Sequence, residues 1–151
     1  MGEPMKKVLD LLSDKALVRV HETDTVLAAA RTMVEAGVGS LLVLDADERL
    51  LGIFTERDVM VRVVAQGKDP SATPIADVMT RDVYTTSPDR EIGEVRREMR
   101  ERHIRHVPVL DGERVLAVLG MRDLVRAALE EKRDKVSEMT AYIRGEGAPG
   151  N

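Results

Sequence analysis

The sequence contains no cysteine and no tryptophan, and its aromatic residues are Phe54, Tyr84 and Tyr142. Without cysteine the chain forms no disulfide, offers no thiolate to a metal and has no cysteine nucleophile. Three aromatics leave little for nucleobases to stack on, and a net charge of −4 presents no basic excess to a phosphate backbone. Nucleic acid is therefore not expected as a partner. No run of 18 or more uncharged apolar residues is present, so a membrane span is not expected either. The N-terminal MGEPMKKVLDLLSD lacks the apolar core and cleavage site of a signal peptide. Lys6 stands where a myristoylation signal would carry Ser or Thr. A soluble cytoplasmic protein is the expectation.

What is present is ordinary for a globular chain: 43% hydrophobic and 33% charged residues in a length of 151. That length holds one compact domain, or two small repeats that bury their apolar faces together. A repeat is visible. Val26 aligns with Ile92 at an offset of 66 (92 − 26), which also pairs Met33 with Met99 and LVLD at 42–45 with PVLD at 108–111. GIFTERD at 52–58 returns as AVLGMRD at 117–123, where the offset has fallen to 65 (123 − 58). The lost residue falls where DADERLLG becomes DGERVLA, a stretch with the composition of a hairpin turn. Each unit is too small to bury much surface alone, and two units facing across a pseudo-two-fold would share one core.

Each copy reads as strand, helix, strand, strand, helix, an α+β pattern. In the first, LVRV is a short strand, and apolar residues at 26, 30, 33, 34 and 38 mark an amphipathic helix. SLLVLD and LLGIFT are strands around a turn, and VMVRVVAQG is a helix ended by glycine. The second copy runs the same way. Its first helix is expected to use Ser87 as N-cap, Pro88 as first helical residue and Asp89 beside the positive end, with Ile92, Val95 and Met99 buried. These readings place one repeat at 8–68 and the other at 75–131, with a short helical turn in IADVMTRD between them. A C-terminal helix follows over 132–144, and 145–151 reads as a disordered tail. Val125, Leu129, Lys132, Val136, Met139 and Ile143 advance by alternating fours and threes, a heptad seam interrupted once. Such a seam packs back on its own domain or pairs with a second subunit.

Two local patterns carry chemistry. Thr55-x-x-Asp58 fits an acidic capping box. In the second copy Gly120 cannot supply the hydroxyl half, yet Asp123 remains, which points to a role for the aspartate beyond capping. His103 and His106 are three apart, but a metal site needs a third ligand, and His21 is far away in sequence, so no metal is expected. In EVRREMRERHIR the alternation of Glu with Arg reads as a solvated helix face laced by opposite charges.

VMTRDVYTTSPD, GVGSLLVLD, GIFTERD and RHIRHVPVLD together make the chain resemble a tandem cystathionine-β-synthase (CBS) domain pair, the Bateman module, from about Val8 to Glu131. The resemblance implies an α+β fold of two repeats and a regulatory module without chemistry of its own. It implies clefts for adenosine-containing ligands: AMP, ADP, ATP, NAD or S-adenosylmethionine. It also implies an energy or metabolite sensor, most simply a homodimer, read by an effector protein that the sequence does not name. Carried onto this chain, Asp58 and Asp123 become ribose ligands and Thr55 a phosphate or ribose contact. Arg105 and His106 become phosphate ligands. Adenine is placed around Ala16 to Val18 and around Val83 and Tyr84, with Val38 or Ile104 at the ring. Arg57 and Arg122 are either solvated or phosphate contacts.

A carboxylate is acceptor-only and suits two adjacent hydroxyls, and a helix start with free N–H groups suits phosphate. The second copy departs from the pattern at Ala117 and Gly120, and the first has Gly39 and Ser40, also assigned to the nucleotide by the resemblance, where the second has its basic pair. The Asp58 site therefore carries the fuller signature and is the stronger expectation. The alternative is a dimeric interaction scaffold with degenerate nucleotide sites.

Overall fold

The computed structural model describes residues 6–12 and 17–143; Ala16, assigned above to the adenine wall, and the tail at 145–151 lie outside them. A 3-10 turn at Val8–Leu11 comes first. The first repeat follows as β1 (Arg19–Val20), α1 (Val26–Ala36), β2 (Ser40–Leu44), β3 (Leu50–Thr55) and α2 (Glu56–Asp58). A 3-10 turn at Ile75–Asp77 leads to the second repeat: α3 (Ile92–Glu101), β4 (His106–Asp111), β5 (Arg114–Gly120) and α4 (Met121–Ile143). The expected α+β architecture of two repeats is what forms.

Pairing follows the repeat. β2 lies antiparallel to β3 with Ser40 opposite Thr55, and β4 antiparallel to β5 with His106 opposite Gly120. Both hairpins shift register at matching places, Val43/Leu44 and Val109/Leu110. The opening strands are shorter than expected. LVRV keeps only Arg19 and Val20, parallel to Leu42 and Val43, and the second copy's strand shrinks to one bridge between Thr86 and Val109. Proline explains the difference. In the first repeat Leu42 donates its N–H to the Val18 carbonyl at 3.1 Å. The matching donor in the second repeat is Pro108, which has no N–H to give.

Three helical expectations also change. VMVRVVAQG does not continue as an α-helix: after Asp58 the chain widens into a π-helical turn over Val59–Val64, with Ala65 donating to the Met60 carbonyl at 2.9 Å. Four valines in those six residues crowd an α-turn at the β-carbon, and a wider turn relieves them. α3 begins at Ile92 rather than Pro88, and Ser87 instead donates its hydroxyl to Asp89. The N-terminal segment is the reason. Val8 and Leu9 donate to the carbonyls of Arg90 and Pro88, at 2.9 and 2.8 Å, so those carbonyls cannot feed a helix. In α1, capped by the Thr25 hydroxyl on Ala28 N–H, the buried face is Val26, Ala29 and Met33. Val34, placed on that stripe by its spacing, is 82% exposed.

The expected single core resolves into one core per repeat plus a small shared cluster. Phe54, Leu41, Met33, Ile75 and Met79 belong to the first; Ile92, Val95, Met99, Leu124 and Val8 belong to the second. Each repeat thus borrows an outside segment: the linker closes the first core and the N-terminal turn closes the second. Leu42 and Leu44 meet Val115 where the two sheets touch. α4 is one helix from Met121 to Ile143, anchored by Leu124 and Ala127. Its seam does not pack back on this chain: Leu129, Val136, Met139 and Ile143 are all exposed.

Candidate ligand-binding site

A cleft of about 1190 Å³ opens between the repeats. One wall comes from the first repeat: Val18 before β1, Met33, Val34 and Val38 at the end of α1, and Gly39 with Ser40 leading into β2. The other wall comes from the second repeat: Arg105 and His106 entering β4, the end of β5, and the first turns of α4 with Arg122, Asp123 and Arg126. α1 ends in Gly37 at φ 66°, a left-handed cap that turns the chain sharply into this wall. The matching position in the second repeat is His103, also left-handed at φ 56°.

Of the residues assigned from the sequence, the cleft gathers Val18, Val38, Gly39 and Ser40 from one repeat and Arg105, His106, Arg122 and Asp123 from the other. It does not gather Thr55, Arg57, Asp58, Val83, Tyr84 or Ile104. The two aspartates differ in what they have left to offer. Asp58 is 5% exposed. Its Oδ2 accepts from the Thr55 N–H at 3.0 Å and faces the Thr55 hydroxyl at 3.3 Å. Its Oδ1 accepts from the Thr80 hydroxyl at 3.1 Å and lies 3.5 Å from Arg62 Nε. The capping box read from the sequence is fully made.

Asp123 keeps only the equivalent of one of those bonds, from Gly120 N–H to Oδ2 at 2.8 Å. Its Oδ1 has no partner among the described residues, and the side chain is exposed on the cleft. The oxygen that Thr80 and Arg62 occupy on Asp58 is therefore the one left open on Asp123.

Two of the residues assigned to adenine are engaged within the second repeat instead. Tyr84 and Ile104 pack against the second core. The Tyr84 hydroxyl donates to Glu98, Arg90 pairs with Glu98 at 2.7 Å, and Arg102 lies 4.6 Å over the Tyr84 ring. Burial, with the Glu98 carboxylate beside it, pushes the Tyr84 phenol up to about 12. Arg57 donates to the His103 carbonyl at 3.2 Å, a bond from one repeat to the other.

Electrostatically the cleft is balanced. Arg105, Arg122 and Arg126 face Glu56, Asp123 and Glu130. Burial holds His106 below the ordinary histidine value of 6.5, against the opposing pull of Glu56 and Asp123, so the imidazole adds little charge at neutral pH. Glu56, Arg126 and Glu130 were not singled out from the sequence. The last two were legible, since Arg122, Arg126 and Glu130 recur every four residues along one helix face. Among the described residues no three His, Asp or Glu side chains cluster as a metal site would require, and no helix is long and apolar enough to cross a membrane.

Two α+β repeats around an open cleft lined by acidic, basic and apolar groups define a tandem-repeat module. The chain belongs to the CBS domain family, whose profile matches residues 4–65 and 75–130. It is 32% identical over 126 residues to the mitochondrial CBS domain-containing protein CBSX3 of Arabidopsis thaliana, covering 81% of this chain and 61% of that protein. The chain thus spans about three fifths of that relative's length.

Among solved structures, a protein with CBS domains from Burkholderia ambifaria superposes with a TM-score of 0.78 at 34% identity, covering 83% of this chain and 95% of that one. The CBS domain pair of protein MJ0100, solved in complex with 5′-methylthioadenosine and S-adenosyl-L-methionine, superposes with a TM-score of 0.76 at 29% identity, covering 85% and 99%.

Proposed function

We propose that the chain is a regulatory module that binds an adenosine-containing ligand in the Asp123 cleft and performs no chemistry on it. The ligand class is AMP, ADP, ATP or NAD, and the module works as a cytoplasmic homodimer that senses energy or metabolite level. The observation that carries this reading is the unpartnered Asp123 Oδ1, set between the apolar wall at Val18 and Val38 and the basic residues Arg105 and Arg122. A ribose diol suits the free acceptor, the adenine suits the apolar wall, and phosphate suits the guanidinium groups. The MJ0100 pair, with its two adenosyl ligands, supports the ligand class.

The site preferred here is thus the reverse of the one the signature favours. Both repeats build the cleft, so a ligand held across it favours one arrangement of the repeats, and an effector protein would read that arrangement. The fully engaged Asp58 favours a second reading for the other half of the molecule: a decayed nucleotide site kept for folding.

A thermal-shift panel of AMP, ADP, ATP and NAD tests the proposal. A ligand at a hundredfold excess over its dissociation constant stabilises by about 2.7 kcal/mol. Asp123→Ala is expected to abolish that shift. No shift of the wild-type chain with any of the four would overturn the nucleotide reading.

A further inference from the structure

We infer that the cleft selects adenosine ligands carrying at most one phosphate, and that Glu56 sets this limit. The inference rests on the reading of the cleft as an adenosine site and narrows it.

Glu56 is the first residue after β3, and its N–H donates to the Gly39 carbonyl at 3.1 Å, which fixes its backbone beside the first wall of the cleft. A β-carbon on Gly39 would stand 2.7 Å from Glu56 Oε1 and 3.2 Å from His106 Nε2. The glycine is therefore a notch into which a carboxylate of one repeat and an imidazole of the other both lean. Among the described residues the Glu56 carboxylate has neither a hydrogen bond nor an ion pair, so its charge acts on whatever enters beside His106 and Arg105.

Charge accounting gives the consequence. Three guanidinium groups line the cleft and three carboxylates oppose them. A single phosphate beside Arg105 and His106 can draw a proton onto the imidazole and be neutralised there. Each further phosphate adds about one more negative charge. Those charges must share Arg122 and Arg126 with the Asp123 and Glu130 carboxylates of the same lining, and they meet the Glu56 carboxylate as well. Repulsion of like charges is how a site rejects a ligand whose attractive contacts it could otherwise satisfy.

Titration calorimetry of the full chain with adenosine, AMP, ADP and ATP, without divalent cations, tests the inference in the wild type and in Glu56→Gln. ATP is expected to bind the wild type at least about tenfold more weakly than AMP. Glu56→Gln should tighten ATP about fivefold while leaving adenosine within about twofold, and the ATP penalty should shrink at high salt because Glu56 is exposed. Wild-type protein that binds ATP as tightly as AMP would overturn the inference even if the variant failed to fold. So would a variant that shifts all four ligands equally. If AMP and adenosine also fail to bind, the adenosine reading itself falls; binding with the wrong ranking removes only the role given to Glu56.

Discussion

The Asp58 carboxylate accepts from the Thr55 N–H and the Thr80 hydroxyl and lies against Arg62, so removing it strands several partners in a nearly closed space. Asp58→Ala is expected to cost about 2–4 kcal/mol in urea unfolding, because buried polar groups left unpaired carry their full desolvation penalty. Asp123→Ala gives up one bond at an exposed helix start and is expected to cost about 1 kcal/mol or less. Equal losses at the two positions would contradict the division of labour drawn here.

His106 gives a second residue-scale test. Burial holds its folded-state value below 6.5, so in the window beneath 6.5 the unfolded chain binds the proton more readily than the folded one. Stability should therefore be unaffected by this group above that window and should fall as pH drops through it. His106→Gln should flatten that part of a pH series of urea midpoints. An unchanged acid slope would show that the imidazole is not the group responsible.

At the scale of elements, the glycine of GIFTERD has a mechanical role. A β-carbon on Gly52 would sit 2.6 Å from the Thr80 carbonyl oxygen and 3.1 Å from Met79 Sδ. The linker crosses there, paired to β3 by Ile53 and Thr80 in both directions at 2.9 Å. Gly52→Ala must push a backbone away, and it is expected to cost about 1–3 kcal/mol and to loosen the Thr80 contact on Asp58. Hydrogen exchange at Ile53 and Thr80 should accelerate in the variant; unchanged protection at both would refute the crossing as the glycine's reason.

Much of this was legible in advance. The offset of 66 gives the repeats, the hairpins, the α3 stripe and even the place where His103 stands for Gly37. The loss of the second opening strand was written in Pro108. What was not legible is that Thr80, 22 residues beyond Asp58, returns to occupy its carboxylate. That contact lies in the path of the linker, not in the spacing of the motif, so the motif alone ranks the two aspartates in the opposite order. The start of α3 is hidden from the local sequence for the same reason: its competitor, Val8 to Leu9, arrives from far away in the chain.

For the whole molecule, the duplicated unit leaves a duplicated apolar surface. Met60 and Val64 after α2 correspond to Val125 and Leu129 on α4 at the offset of 65, and Val64 and Leu129 are 66% and 59% exposed. Two copies of one chain can cover both patches across a two-fold axis, with each patch facing its own kind, and the exposed seam of α4 extends the same surface. The wild type is therefore expected to sediment as a dimer and the double variant Val64→Glu, Leu129→Glu as a monomer, with the helical signal in circular dichroism retained. A monomeric wild type would refute the dimer outright.

Ligand binding and assembly then become linked. The cleft wall carries Arg122, Asp123 and Arg126, and the same helix carries Val125 and Leu129 on its exposed apolar surface. A ligand that grips the first set fixes the helix that presents the second. By thermodynamic reciprocity, saturating AMP must change the dimer dissociation constant by the same factor by which dimerisation changes the affinity for AMP. Sedimentation with and without AMP, set against AMP titrations of the dimer and of the monomeric variant, is expected to give one coupling factor of about five or more. A factor of one in both measurements would leave a binding module with no means of reporting its ligand through assembly.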